Sequence, residues 1–194
     1  MKSLPVIDVL AATGIALLVG AGAGQRAVPA LLAAAERVNA GPLNWMALDF
    51  TAVEMVSASA AREALFGPFQ DAMAERGLLV ICVGLNAEAL DEVNLAAQAL
   101  SRPFVVADSI TTEAPVGLSV RGSLEPKQLL TLKTVAQLGE TDAKTAHEQS
   151  NDGTGVTAWN NRLSSLEAMR LLVARKSGKT KYYSLPVKGL VDGN

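Results

Sequence analysis

The chain has 194 residues, of which 49% are hydrophobic and 19% charged, a balance typical of a globular protein with a substantial core. Only 4% of the residues are aromatic, so the core must consist largely of alanine, leucine and valine. The net charge of −2 is unevenly distributed, because residues 1–120 carry 6 Lys/Arg against 12 Asp/Glu, whereas residues 121–194 carry 11 against 7. This asymmetry predicts two modules, of which only the second is attracted to phosphate.

The distribution of apolar, basic and cysteine residues disfavours several classes of protein. The longest apolar region near the start, residues 9–23, is interrupted by Thr13 and several glycines and is shorter than the ~20 residues of a membrane span. Only Lys2 precedes it, so we expect no signal peptide and no membrane partner. The single cysteine, Cys82, cannot form an internal disulfide, and we expect a buried, inert thiol in its apolar run. A cytoplasmic location is the default expectation.

The first part of the chain alternates between strand-like and helix-like segments, which indicates a compact α/β domain. Apolar runs with β-branched residues predict strands at 5–10, 15–19, 45–50, 78–83 and 104–107. Apolar residues at helical spacing predict helices at 26–38, 59–76 and 87–100. The segment at 111–122 contains Pro115, Gly117 and Gly122, and it is predicted to be a linker or an edge strand.

The last third has a different pattern. Helices are predicted at 124–138, closed by Gly139, at 141–149 and at 156–169, with a turn at 151–155. Two strands, 171–175 and 181–185, flank the basic loop 176–180 and form a hairpin. Three helices followed by a basic hairpin is the order of a winged helix-turn-helix. The predicted domains are therefore 1–115 and 123–190.

The third of these helices has two faces that suit the major groove of DNA. Its inward stripe is apolar and consists of Val156, Trp159, Leu163 and Leu166. Its outward face carries side chains that bond to base edges or phosphates, namely Thr157, Asn160, Asn161, Ser164 and Ser165, with Arg162 at the flank. The hairpin adds cations placed to reach phosphates or the minor groove, namely Lys176, Lys179 and Lys181.

Segments 139–144, 156–166 and 171–175 together resemble winged-helix regulators of prokaryotes. In that family the matching third helix is the recognition helix, so the resemblance implies that the polar residues above contact double-stranded DNA. Helix two departs from the family pattern, because Ala143 and Ala146 stand where leucine is usual. We expect the ring of Trp159 to fill the space beside these alanines rather than to stack on bases.

Segment 48–59, Leu-Asp-Phe-Thr-Ala-Val-Glu-Met-Val-Ser-Ala-Ser, resembles the strand–turn–helix of STAS-type domains. It is more similar to the STAS-like domains of unknown function that are joined to winged helices. The resemblance covers about residues 4–110 and implies a domain that dimerises or receives a protein or small-molecule signal. In anti-sigma-factor antagonists this segment carries a phosphorylated serine, but alanine stands at that position here. Ser57 and Ser59 are therefore expected to bond the turn and cap the following helix.

A glycine-rich segment at 20–27 supports an alternative interpretation of the first domain. Gly22, Gly24 and Ala27 form a short dinucleotide-type pattern between a predicted strand and a predicted helix, and Asp49 could approach a ribose. A flexible loop of small residues explains the same pattern. A nucleotide-sensing regulator is therefore an alternative to the favoured hypothesis.

The functional expectation is a homodimeric DNA-binding transcriptional regulator. The sequence offers no His/Ser/Asp set, no cysteine–histidine arrangement and no cluster of metal ligands, and the single histidine, His147, has no evident partner. We therefore expect no enzymatic activity, no cofactor and no metal. The alternative from another class is a protein-interaction adaptor in which the winged helix docks a protein partner.

Overall fold

The computed structural model describes residues 4–38, 40–150 and 152–192, and within them the chain is a mixed α/β protein. The helices are α1 (Val9–Thr13), α2 (Ala21–Arg37), α3 (Ala58–Ala64), α4 (Pro68–Glu75), α5 (Ala87–Ala99), α6 (Pro126–Leu138), α7 (Ala143–Ser150) and α8 (Val156–Ala168). The strands are β1 (Val6–Asp8), β2 (Leu17–Leu18), β3 (Trp45–Asp49), β4 (Met55–Val56), β5 (Leu79–Val83), β6 (Pro103–Ala107), β7 (Ser109–Ile110), β8 (Pro115–Val116), β9 (Ser119–Gly122), β10 (Glu140–Thr141), β11 (Val173–Ser177), β12 (Thr180–Ser184) and β13 (Val191–Asp192).

Six strands form a central sheet in the order β1-β3-β5-β6-β9-β13. The first four run parallel in chain order, β9 is antiparallel to β6, and β13 is parallel to β9. Side chains alternate along each strand, so in β3 Met46 and Leu48 join one hydrophobic cluster and Trp45 and Ala47 join another. Because both faces of the sheet are covered, the sequences of these strands are continuously apolar.

The first face of the sheet is covered by α2, α3, α4 and α5, whose inner residues are mostly alanine, leucine and phenylalanine. Helices α2 and α3 make the closest approach. A Cβ atom added at Gly24 would lie 2.5 Å from the carbonyl oxygen of Ala60, so only glycine allows this contact. The small residues of this layer therefore let the backbones of neighbouring helices come into contact.

The glycine-rich segment 20–27 is helical rather than a loop. Helix α2 begins directly after Gly20, which has a φ of 82°, and Gly22 and Gly24 lie within it. The preceding strand, β2, pairs only with β4 and not with the central sheet. Gly24 thus has a packing role in a helix, and nucleotide binding at this segment stays a prediction.

The second face of the sheet is covered by residues 126–184, which we call the C-terminal unit. This unit contains α6, α7 and α8 and a small sheet in the order β10-β12-β11. One hydrophobic cluster joins the second face, including Trp45, Ile81 and Val105, to the inner residues of the unit, including Leu132 and Trp159. After the unit, the chain returns as β13 to the central sheet. The division into domains 1–115 and 123–190 remains a prediction.

Several boundaries differ from the sequence prediction for local reasons. The helix expected at 59–76 is split into α3 and α4, because Pro68 lacks an amide proton and stands at the start of α4. The first strand stops at Asp8, whose side chain accepts a hydrogen bond of 2.9 Å from the amide of Ala11 and caps α1. Segment 111–122 contains β8 and β9, and β9 lies between β6 and β13. Cys82 is buried as predicted, and burial raises the pKa of its thiol to about 12.

None of the helices in the described ranges combines the length and the hydrophobicity that crossing a membrane requires.

Candidate nucleic-acid interface

Helix α8 has one buried and one exposed face, and four of the predicted contact residues share the exposed one. Trp159, Leu163 and Leu166 are fully buried in the hydrophobic cluster that joins the C-terminal unit to the second face of the sheet. The residues exposed on the opposite side are Thr157, Asn160, Asn161 and Ser164. The Ser164 hydroxyl lies 3.3 Å from that of Tyr183, so it is the only one of the four with a side-chain hydrogen bond in the described structure. Val156, expected on the inward stripe, is 37% exposed because it stands at the helix start.

Trp159 is a core residue, as the sequence predicted. Its ring belongs to the same buried cluster as Ala143 and Ala146 of α7, the two alanines beside which it was expected to pack. Its indole Nε1 donates a hydrogen bond of 3.1 Å to Asp152, in the turn before α8. The ring is therefore not available to stack on a base.

Arg162 does not lie with the exposed polar residues, and its predicted role is revised. Its side chain is 11% exposed and forms an ion pair of 2.9 Å with Asp152, itself 8% exposed. The guanidinium also donates to the Thr154 hydroxyl at 2.6 Å and lies 4.4 Å from the centre of the Trp159 ring. Arg162 therefore fastens the turn at 152–154 to the buried side of α8. Its spacing of three residues from Trp159 was the signal that it shares that side.

The Asp152 carboxylate is held in its charged form. Burial on its own would raise the pKa of Asp152, but hydrogen bonds from Thr154, Trp159 and Arg162 outweigh burial and hold the pKa well below its usual range. Sequence reasoning placed Asp152 in a turn and did not assign it a partner. The network of Asp152, Thr154, Trp159 and Arg162 joins the turn before α8 to the first half of the helix.

Two further predicted contact residues are engaged within the unit. The hydroxyl of Ser165 accepts a hydrogen bond of 3.1 Å from Gln128 of α6. The ammonium of Lys181 lies 2.5 Å from Glu167 of α8 and 5.2 Å from the Tyr183 ring. The hydrogen bond to Glu167 raises the pKa of Lys181. Both side chains thus hold α8 against its neighbours.

The hairpin formed by β11 and β12 presents two cations without acidic partners. Lys176 and Lys179 are exposed and form no ion pair within the described residues. Gly178, with a φ of 60°, makes the turn between the strands. By contrast, Arg175 at the hairpin base is held by Glu140 of β10 through two hydrogen bonds, of 2.5 and 2.6 Å. Of the six basic residues between 162 and 181, three are therefore paired with acids.

The predicted turn of the first domain has the expected capping. The Ser57 hydroxyl accepts hydrogen bonds from the amides of Ala60, at 3.3 Å, and of Gly20, at 2.9 Å, and it lies 3.2 Å from the Ser59 hydroxyl. Asp49 accepts a hydrogen bond from the amide of Thr51 within the same loop region. Across the described part of the chain, no group of three or more His, Cys, Asp or Glu residues is arranged to hold a metal ion.

Comparisons of the chain with protein-family models, with curated proteins and with solved structures found no match. Six of the nine predicted contact residues are exposed. They are Thr157, Asn160, Asn161, Ser164, Lys176 and Lys179.

Proposed function

We propose that the protein is a DNA-binding transcriptional regulator in which α6, α7, α8 and the β11–β12 hairpin act as a winged helix-turn-helix. The single observation that carries the proposal is the exposed polar face of α8. Its four short side chains can form hydrogen bonds, and the opposite face is fully buried. A recognition helix needs this division, because its inner face grips its own domain while its outer face enters the major groove.

Each class of exposed residue has a distinct task in this proposal. The side-chain amides of Asn160 and Asn161 suit paired hydrogen bonds with the major-groove edge of adenine. Thr157 and Ser164 suit phosphate or base contacts, and Lys176 and Lys179 suit phosphates beside the groove. Arg162, Ser165 and Lys181 support the helix from behind and are not part of the proposed contact set.

The other parts of the chain fit a regulator of this kind. We propose that the first domain is STAS-like and supplies dimerisation or signal input, in a cytoplasmic prokaryotic protein without enzymatic activity. A two-fold dimer would present two recognition helices to half-sites about one helical turn of DNA apart. The acidic first domain and the basic last third match such a division of labour.

Duplexes selected from a random DNA pool by the full chain provide the probe for a direct test. Asn161→Ala should weaken binding to the selected duplex about tenfold or more and relax the base preference at one position. Lys179→Ala should weaken binding to all duplexes. It should also reduce the slope of the logarithm of the affinity against the logarithm of the salt concentration by about 1. Arg37→Ala is the matched control, because Arg37 is an exposed cation on α2, the layer on the other face of the sheet.

The adaptor hypothesis is the second candidate, and the internal pairing of Arg162, Arg175 and Lys181 favours it, since the paired acids reduce the net positive charge that this region offers to phosphate. The two candidates differ in their dependence on salt. If the selected duplex binds with no steep loss of affinity as salt rises, or if Asn161→Ala and Lys179→Ala bind as the control does, the DNA-binding proposal fails.

A further inference from the structure

A cleft lies where the end of α8 meets the central sheet and α4. Its walls include Leu78, Leu79 and Pro103 from the sheet region and Met169 beyond α8, and its volume is about 180 Å³. Two arginines line it, Arg102 from the segment after α5 and Arg170 from the segment after α8. An apolar cavity with a few convergent charged groups is the usual form of a small-molecule site.

The charges in the cleft are not balanced. Arg102 donates to the carboxylate of Asp71 and to the backbone oxygen of Phe66, both at 2.8 Å. Arg170 has no ion pair in the described chain, and its Nε is buried without a hydrogen-bond partner there. Two guanidinium groups against one carboxylate leave one positive charge uncompensated. An uncompensated cation that lines a largely apolar cleft favours an anionic ligand from outside the chain.

The backbone beside each arginine is strained in the same way. Among the described residues, Ser101 and Arg170 are the two non-glycine residues with positive φ, at 51° and 61°. Both stand just after a helix, where the left-handed conformation is usually given to glycine. Strained residues of this kind concentrate at ligand sites, because the surrounding structure holds them for function. Here the two left-handed residues stand at the ends of α5 and α8, and Arg102 and Arg170 both line the cleft.

We propose that this cleft binds a small organic monocarboxylate, with the carboxylate on Arg170 and Arg102 and a short apolar body between Leu79, Pro103 and Met169. A monoanion neutralises the one excess charge, and a guanidinium holds a carboxylate through two parallel hydrogen bonds. The volume is below the range of drug-sized ligands, which restricts the ligand to a single small ring or a short chain.

The cleft also lies between the first domain and α8, so a ligand bound there contacts both. One wall belongs to the sheet and α4, and the other consists of Ala168, Met169 and Arg170 at the end of the helix. A ligand that contacts both walls stabilises the position that α8 has against the sheet in this structure. This regulatory consequence rests on the proposed function, whereas ligand binding itself does not.

The test uses the full chain without DNA. Benzoate is the probe, and neutral benzamide is the uncharged control compound. Benzoate at several times its dissociation constant should raise the unfolding temperature by about 2–4 °C, and benzamide should not. Arg170→Gly should abolish the benzoate shift while raising the unfolding temperature of the free protein, because glycine relieves the strained φ. Ser101→Gly is the matched control, since it relieves the same strain and keeps both guanidinium groups.

Two results would overturn the proposal. One is the absence of a benzoate shift in the unmodified chain, and the other is an equal shift in the Arg170→Gly variant. Affinity for the selected duplex with and without benzoate is then measured separately. A benzoate shift in a protein that binds no duplex would retain the ligand site and reject the DNA-binding function.

Discussion

The two faces of the central sheet are covered by layers of different chemistry. On the first face, alanine-rich helices approach so closely that Gly24 has no room for a methyl group beside Ala60. On the second face, the C-terminal unit uses a large ring, Trp159, and a nearly buried ion pair between Asp152 and Arg162. The first layer should therefore lose stability when atoms are added, and the second when atoms or charges are removed.

The largest effect is expected from Trp159→Ala, which removes the biggest fully buried side chain of the second layer. We expect the free energy of unfolding to fall by about 3–5 kcal/mol, because a cavity forms and Asp152 loses a hydrogen bond. Urea denaturation followed by circular dichroism measures the loss. Trp159→Phe keeps much of the apolar volume and should lose less. Equal losses in both variants would show that ring volume is not what holds the second layer.

Asp152→Asn should have the next largest effect, since it leaves the guanidinium of Arg162 without its charged partner. We expect a loss of about 3 kcal/mol at neutral pH. Because the folded-state pKa of Asp152 is lowered, its contribution is complete above the ordinary aspartate pKa of about 4 and is lost as the pH falls below that value.

Unfolding free energies measured from neutral pH down to acid give the test of this charge effect. The difference between Asp152→Asn and the unmodified chain should narrow as the pH falls. Glu36→Gln removes the same charge from an exposed position on α2 and is the control. A difference that stays constant with pH would mean that the variant acts through shape rather than charge.

A pair of glycine variants tests the first layer. Gly24→Ala places a methyl group against the Ala60 oxygen, so we expect a loss of about 1–3 kcal/mol. Gly22→Ala lies in the same helix with its nearest neighbour, an Arg26 nitrogen, at 3.5 Å, and it should be neutral or slightly stabilising. Thermal unfolding of both proteins makes the comparison. Similar losses in both would mean that the contact with Ala60 is not what makes the added methyl group costly.

The smallest effect is expected from Glu140→Gln, which breaks the exposed ion pair with Arg175 in the second layer. The two side chains are 40% and 58% exposed, so water and salt replace most of the interaction. We expect no measurable shift of the unfolding midpoint at physiological salt. A clear loss there would show that the hairpin base depends on charge as strongly as the turn at 152–154 does.

How far the sequence predicts this structure depends on whether a feature is local. The covered strand at 78–83, the helix stop at Gly139 and the burial of Trp159 follow from periodicity and residue type, and the structure contains all three. The spacing of Arg162 from Trp159 indicates which side of α8 it faces, but its ion pair depends on Asp152, ten positions earlier, which periodicity does not connect with it. In the same way, the role of Gly24 depends on Ala60, which no local pattern connects with it.

The candidate interface was predictable to a similar extent. Exposure of Asn160 and Asn161 follows from their positions opposite the apolar stripe. The acids that neutralise Arg175 and Lys181 come from β10 and from α8, so counting basic residues overstated the free charge of this region. Whether a cation is free depends on tertiary partners, which composition does not reveal.

The return of the chain to the central sheet as β13 has a consequence for how the C-terminal unit can be detached. Because β9 precedes the unit and β13 pairs with β9 after it, the unit is tied to the same sheet edge at both ends. A protease that cuts once, between β9 and α6, would leave two fragments still joined by strand pairing and by the shared cluster. The unit would leave the sheet only after a second cut and the loss of that cluster, so nicked protein should migrate intact until it is denatured.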